Sequence, residues 1–175
     1  MANYRNIPRK AMLETLPKNG ICAEIGVWKG EFSEHILAIT TPKKVHLIDP
    51  WTFQPQFGGN WYGGQIAKSQ KDMNDIFNVV EHKFKNKAII HREYSDIAFN
   101  HFDDGYFDWI YIDGNHNYAY VMKDLMLYYP KVKSGGYITG DDYDMSDVIR
   151  AVGEFCTKYG KTVEIFGKTQ FCIKI

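Results

Sequence analysis

Asp113, His116, Asp141 and Asp142 are the side chains best placed by type and spacing to do chemistry. Asp113-Gly114-Asn115-His116 closes one apolar run, Phe107 to Ile112, and Asp141-Asp142-Tyr143 closes another, Gly136 to Gly140. If the two runs are neighbouring parallel strands, they lie about 5 Å apart and end at one edge of a sheet. Three carboxylates then share a cleft, where they resist ionising together. A bound hard cation removes that penalty, and oxygen ligands suit magnesium, manganese or calcium. His116, three residues beyond Asp113, can reach the same place. Its ordinary pKa of about 6.5 suits a general base at neutral pH. The plainer readings are a surface or capping histidine and a helix-entry turn. Asp144 and Ser146 already offer caps for the next helix, so the acid pair is less needed there.

The elements around these residues read as strand, turn, helix, turn, strand. Between the two apolar runs Val121, Met122, Leu125 and Tyr128 or Tyr129 recur at helical spacing, closed by Pro130 and Ser134-Gly135-Gly136. A crossover helix between two strands is the βαβ unit, which makes the strands parallel.

Upstream, a leading helix is expected within residues 1–19, with Pro8 in its first turn and Pro17 and Gly20 ending it. Ile21 to Ile25 is a strand that runs into Glu24-Ile-Gly26-Val-Trp-Lys-Gly30 and then a helix bearing Phe32, Ile36 and Leu37. A glycine turn before a helix offers backbone N–H groups to a ligand's polar end, and Glu24 could face a cationic group. Trp28 stands where a GxGxG turn would have its middle glycine, so an ordinary βα turn is an even alternative. Lys44 to Ile48 is the second strand. Asp49, at its end about 20 residues on, is placed to accept from a ribose diol; the alternative is a turn or cap beside Pro50.

Residues 51–68 alternate aromatics (Trp51, Phe53, Phe57, Trp61, Tyr62) with paired glycines, and are expected to form a lid, with an oligomer contact as the alternative. A helix with Met73, Ile76, Phe77, Val80 and Phe84 follows, then a third strand, Ala88 to His91. Ser95 caps the next helix or meets an adenine edge. After the central unit, Val148 to Tyr159 forms an amphipathic helix. Thr162 to Phe166 and Gln170 to Ile175 are joined by three residues, too few for a parallel crossover, so they form an antiparallel hairpin. The expected fold is α/β, Rossmann-like: a mostly parallel seven-stranded sheet with a C-terminal antiparallel hairpin and helices on both faces.

A chain of 175 residues is expected to be one domain, residues 1–175, with a sizeable core. Lysine plus arginine and aspartate plus glutamate number 21 each, which argues against nucleic acid as a partner. Cys22, Cys156 and Cys172 are an odd set without CxxC spacing, as expected of buried thiols in a reducing compartment. There is neither a membrane-length apolar run nor a secretory h-region, so a cytoplasmic, membrane-free protein is expected.

Taken in order, Glu24-Ile-Gly26-Val-Trp-Lys-Gly30, Asp49-Pro50-Trp51, Tyr94-Ser95, Ile112-Asp113-Gly114-Asn115-His116 and Gly135 to Tyr143 resemble a class I S-adenosylmethionine-dependent methyltransferase. More narrowly they resemble the metal-dependent macrocin and mycinamicin O-methyltransferases, which act on sugar hydroxyls. The resemblance covers about residues 20–143, with DGxH and GDDY its specific part. It implies that Asp113, Asp141 and Asp142 hold magnesium and that His116 is the base. It also implies that Glu24, Gly26 and Gly30 line the methionine end of the cofactor, Asp49 the ribose and Ser95 the adenine, with Asp113 among the cofactor-binding residues. Macrocin-type enzymes carry extra N-terminal and lid segments, and this sequence is expected to be close to the minimal core, which bears on a large glycosylated substrate.

The expected activity is divalent-metal-assisted O-methylation of a small hydroxylated molecule, such as a sugar or nucleotide sugar. A nicotinamide-dependent oxidoreductase is the alternative from another class, since a glycine turn and a strand-end acid serve both cofactors. A non-catalytic cofactor binder of the same fold is the third.

Overall fold

The computed structural model describes residues 3–57 and 66–175. In chain order the elements are helix α1 (Asn3–Thr15), strand β1 (Ile21–Ile25), α2 (Glu31–Thr40) and β2 (Lys44–Ile48), then α3 (Gln70–Phe84), β3 (Ile89–His91) and the short α4 (Ser95–Ala98). There follow β4 (Phe107–Ile112), α5 (Tyr118–Tyr128), β5 (Val132–Gly140), α6 (Ser146–Tyr159), β6 (Val163–Phe166) and β7 (Gln170–Lys174). The seven strands form one sheet in the order β3-β2-β1-β4-β5-β7-β6. β1 to β5 run parallel; β7 is antiparallel to β5, and β6 to β7. This is the expected doubly wound sheet with its terminal hairpin.

Alternation along the strands divides the core between two faces. On β4, Ile110 and Ile112 face α5 and α6 with Ala23 and Ile25 of β1, against Val121, Leu125, Val152 and Phe155. Trp109 and Tyr111 face the other way with Cys22, Val45 and Leu47, against Met12 and Leu13 of α1, Phe32 and Ile36 of α2, and Val80 and Phe84 of α3. β4 is apolar almost throughout because both its faces are covered. The three cysteines are free and buried. Among the described residues no helix is long and apolar enough to cross a membrane.

Several local expectations change. Pro8 lies inside α1 rather than in its first turn, because the helix starts at Asn3. It packs against the hairpin turn, where a Cβ on Gly167 would come within 2.9 Å of Pro8. The N-cap position of α6 falls on Met145, which makes no side-chain cap, rather than on Asp144 or Ser146. Trp51, expected in the lid, is fully buried; its Nε1 donates to the Trp28 carbonyl at 2.9 Å and its ring meets Phe77. Residues 58–65, with Trp61, Tyr62 and both glycine pairs of the expected lid, lie outside the described residues.

Candidate functional site

The parallel ladder continues past the strand ends and so places the turns. Gly26 N donates to Ile48 O at 2.9 Å, Asp113 N to Ile25 O at 2.7 Å and Asp141 N to Ile112 O at 3.1 Å. The turns after β1, β4 and β5 are thereby aligned along one edge, and they line a cleft of about 920 Å³. That is ample for a nucleotide-sized ligand.

The turn after β1 is built by two residues the sequence links only loosely. Gly26 has φ +88°, and a Cβ there would lie 2.0 Å from the Asp113 carbonyl oxygen, so only glycine lets these two turns meet. Gly30 likewise has φ +71°, and a Cβ would strike the Phe84 ring at 2.4 Å. Between them Trp28 is left-handed at φ +53°. Asp49 holds it there: its Oδ2 accepts from the Val27 and Trp28 N–H groups at 2.9 Å each, and its Oδ1 accepts from Trp51 N at 2.8 Å. Asp49 thus shapes the glycine turn as well as lining the cleft, a part that its spacing alone does not show.

Glu24, at the end of β1, is 1% exposed and accepts from the Ser33 hydroxyl. Burial, outweighing that bond, pushes its carboxyl up to about 8. Ser95 opens α4, but its hydroxyl does not cap the helix. It donates instead to Asp124 Oδ1 at 2.5 Å.

The acidic turns come together as the strand order requires. His116 Nε2 lies 2.9 Å from Asp142 Oδ2 and 3.8 Å from Asp113 Oδ1. Asp142 adopts φ +58°, a conformation that aspartate tolerates better than most residues and that functional sites often hold. One ligand atom from each of Asp113, His116 and Asp142 falls within 4.8 Å of the other two. The two carboxylates are oxygen donors of the kind a magnesium- or manganese-type ion takes, whereas the imidazole nitrogen suits softer divalent metals. Asp141 stands beside them, with its carboxylate held by Arg9 of α1 and by Gln170 of β7.

Arg9 is the feature the sequence hides. Its Nη2 donates to Asp113 Oδ2 at 2.9 Å and also to Asp141 Oδ2, and its guanidinium rests over the Phe32 ring at 5.2 Å. The protein therefore places a cation of its own between two of the three aspartates. Gln170 extends the network away from the cleft, since Tyr111 OH donates to its Oε1 at 2.8 Å.

Charge follows from these contacts. Burial drives the Asp113 carboxyl up against the opposing pull of His116. For His116, burial favours the neutral ring, but the bonds to Asp113 and Asp142 outweigh it and raise the imidazolium to about 10. The free protein holds His116 charged at neutral pH. To act as a base it must first lose part of this carboxylate contact.

Arg9, Gln170 and Asp124 are missed by the sequence reading. Gln170 and Asp124 had a signal: each interrupts an apolar pattern, Gln170 at the head of β7 and Asp124 at helical spacing with Val121, Leu125 and Tyr128. Arg9 had none, since an arginine on a leading helix looks like any solvated charge.

A family profile described as "Methyltransferase domain" matches residues 23–143. A 36-residue stretch is 53% identical to uncharacterized protein R132 of Acanthamoeba polyphaga mimivirus, covering 21% of this chain and only 16% of that protein. Among solved structures the chain resembles the O-methyltransferase NovP, at 20% identity and a TM-score of 0.64 over 99% of this chain and 78% of that one. It resembles a candidate caffeoyl-CoA O-methyltransferase from Staphylococcus aureus at 18% identity and a TM-score of 0.62, over 100% and 84%. A candidate methyltransferase from Streptococcus mutans, solved in complex with SAH, aligns at 11% identity with a TM-score of 0.65, over 99% and 98%. At these identities the likeness to the solved structures is one of fold.

Proposed function

The chain belongs to the methyltransferase-domain family, and from that premise we propose that it is an S-adenosylmethionine-dependent, divalent-metal-assisted O-methyltransferase acting on a hydroxyl of a small molecule, such as a sugar or nucleotide sugar. The observation that supports it most is the convergence of Asp113, His116 and Asp142 on the floor of the cleft.

S-adenosylmethionine would supply the methyl group, while a divalent cation would acidify and fix the acceptor hydroxyl. Asp113 and Asp142, with Asp141 beside them, are the residues that would hold the cation. Gly26 and Gly30 shape the turn on which the methionine end would lie, with Glu24 and Asp113 beside it; Asp49 and Ser95 would face ribose and adenine. Holding the acceptor oxygen against the methyl carbon in line can itself lower the barrier by several kcal/mol. His116 would take the acceptor's proton on Nε2. That nitrogen is in contact with Asp142 in the free protein, so its availability depends on those carboxylates turning to another partner. The family leaves the nicotinamide reading without support.

The test is SAH release from S-adenosylmethionine with a panel of sugars, nucleotide sugars and phenols, each with magnesium and with chelator. Chelator and Asp142→Asn should both abolish turnover, while calorimetric binding of S-adenosylmethionine changes little. Turnover that survives both would overturn the metal-assisted reading.

A second reading has one observation in its favour, Arg9 between Asp113 and Asp141. On that reading the site transfers methyl groups without a metal, its positive charge coming from the guanidinium. Chelator-resistant turnover that is lost in Arg9→Met would select it.

A further inference from the structure

Asp124 is a buried carboxylate that the proposed chemistry does not use. It sits on the apolar face of α5 among Val121, Leu125 and Tyr128, and is only 4% exposed. Placing a carboxylate there is costly unless its oxygens are paired. Oδ1 has one partner, the Ser95 hydroxyl at 2.5 Å. Oδ2 has no hydrogen-bond partner among the described residues and keeps contact with solvent. It lies close to the turn after β4, where a Cβ on Gly114 would be 3.6 Å from it. Asp124, Ser95 and Gly114 all line the cleft.

The surroundings say what kind of donor Oδ2 awaits. Tyr94 and Tyr120 line the same part of the cleft, each adjacent in chain or helix turn to this pair, and they are 42% and 40% exposed. Gly114 presents bare backbone. Aromatic faces and a bare glycine suit a flat heterocycle better than a ribose. A carboxylate can only accept, so the ring must offer an N–H. Ser95 of α4 and Asp124 of α5 border this end of the cleft.

We propose that Asp124 is a specificity-determining residue that accepts a hydrogen bond from the exocyclic amine of the cofactor's adenine on Oδ2, with Ser95 fixing the carboxylate through Oδ1. The proposal rests on the S-adenosylmethionine reading and names the group that distinguishes adenine from other purines. An acceptor aimed at an N–H rejects a carbonyl in the same position, because two acceptors then face each other unpaired.

Calorimetric binding of three ligands tests it: SAH, S-inosylhomocysteine (a carbonyl in place of the amine) and the N6,N6-dimethyl analogue of SAH (no N–H). The intact chain should bind SAH about tenfold or more tightly than either analogue, the cost of leaving a buried acceptor unpaired. Asp124→Asn can turn its amide to donate instead. In that variant SAH should weaken by about tenfold and the preference over S-inosylhomocysteine should fall to within about threefold. Equal binding of all three ligands by the intact chain overturns the proposal, and needs no variant that folds. So does an Asp124→Asn protein that melts normally and keeps the full preference. Failure of the intact chain to bind SAH at all overturns the cofactor reading and this inference with it.

Discussion

Arg9 Nη2 lies 2.9 Å from Asp113 Oδ2, across 104 residues of chain, and the same nitrogen reaches Asp141. The leading helix thus supplies the charge that lets two aspartates of the cleft stay close together. Removing it leaves two partly desolvated carboxylates facing each other. Arg9→Met should lower stability without added metal by roughly 1–3 kcal/mol. It should also enlarge the rise in Tm produced by magnesium, because the ion then has no internal competitor. Melting curves with and without magnesium check both; an unchanged magnesium response would mean that Arg9 and the ion do not share the site.

Gln170 couples the hairpin to the same carboxylate, accepting from Tyr111 OH and donating to Asp141. Gln170→Ala orphans a fully buried hydroxyl and releases one side of Asp141. A loss of about 1–3 kcal/mol is expected in denaturant melts, the usual cost of a buried polar group left unpaired. Gln170→Glu should be no better, since a carboxylate there meets Asp141 with like charge. A Glu variant as stable as the parent would contradict the donor role.

His116 should matter for turnover and not for cofactor binding. His116→Ala is expected to cut kcat by about 100-fold or more, within the range for loss of a positioned base, with SAH affinity nearly unchanged. Its imidazolium is raised to about 10 by Asp113 and Asp142 against burial. The stabilisation from these contacts is therefore fully present below about pH 6.5 and is lost as pH rises through about 10. The parent's Tm should fall across that interval more steeply than that of the variant. Superimposable curves would remove His116 from the ion-pair network.

A second histidine behaves with the opposite sign. His46 of β2 is buried; its Nδ1 pairs with His91 Nε2 at 2.9 Å and its Nε2 with Tyr106 OH at 3.2 Å. Burial first, then His91 and Lys44, lower it to about 4. The fold favours the neutral ring, so this stability is present above about pH 6.5 and is lost as pH falls through about 4. His101 and Glu93 pair with each other next to His91 and set the charge nearby. His46→Phe should flatten the acid side of the Tm profile; parallel profiles would place the acid sensitivity elsewhere.

The central unit is legible because periodicity carries it. β4 and β5 read as apolar runs, α5 has a helical stripe, and parallel pairing then forces Asp113 and Asp142 together. What is not legible depends on contacts between distant parts of the chain. Asp49 reads either as a strand-end acid facing a ligand or as a turn residue, but its grip on the backbone N–H groups of Val27, Trp28 and Trp51 joins two separate turns that no local pattern links. Ser95 reads as a cap, yet its hydroxyl turns to α5. Trp51 reads as the start of a mobile stretch because glycines follow it, but its indole is drawn into the core between Trp28 and Phe77. Local patterns report local structure, whereas a side-chain hydrogen bond chooses its partner only once the whole sheet has formed.

The two holders of Asp141 enter the fold from opposite ends, Arg9 before β1 and Gln170 in the last strand. The family profile spans residues 23–143 and includes neither. A fragment trimmed to those limits would carry every signature residue of the acidic turns and lack both side chains that grip the central one. In this chain both side chains that hold Asp141 lie outside the segment by which the family is matched, in elements that the sheet and its helices also need.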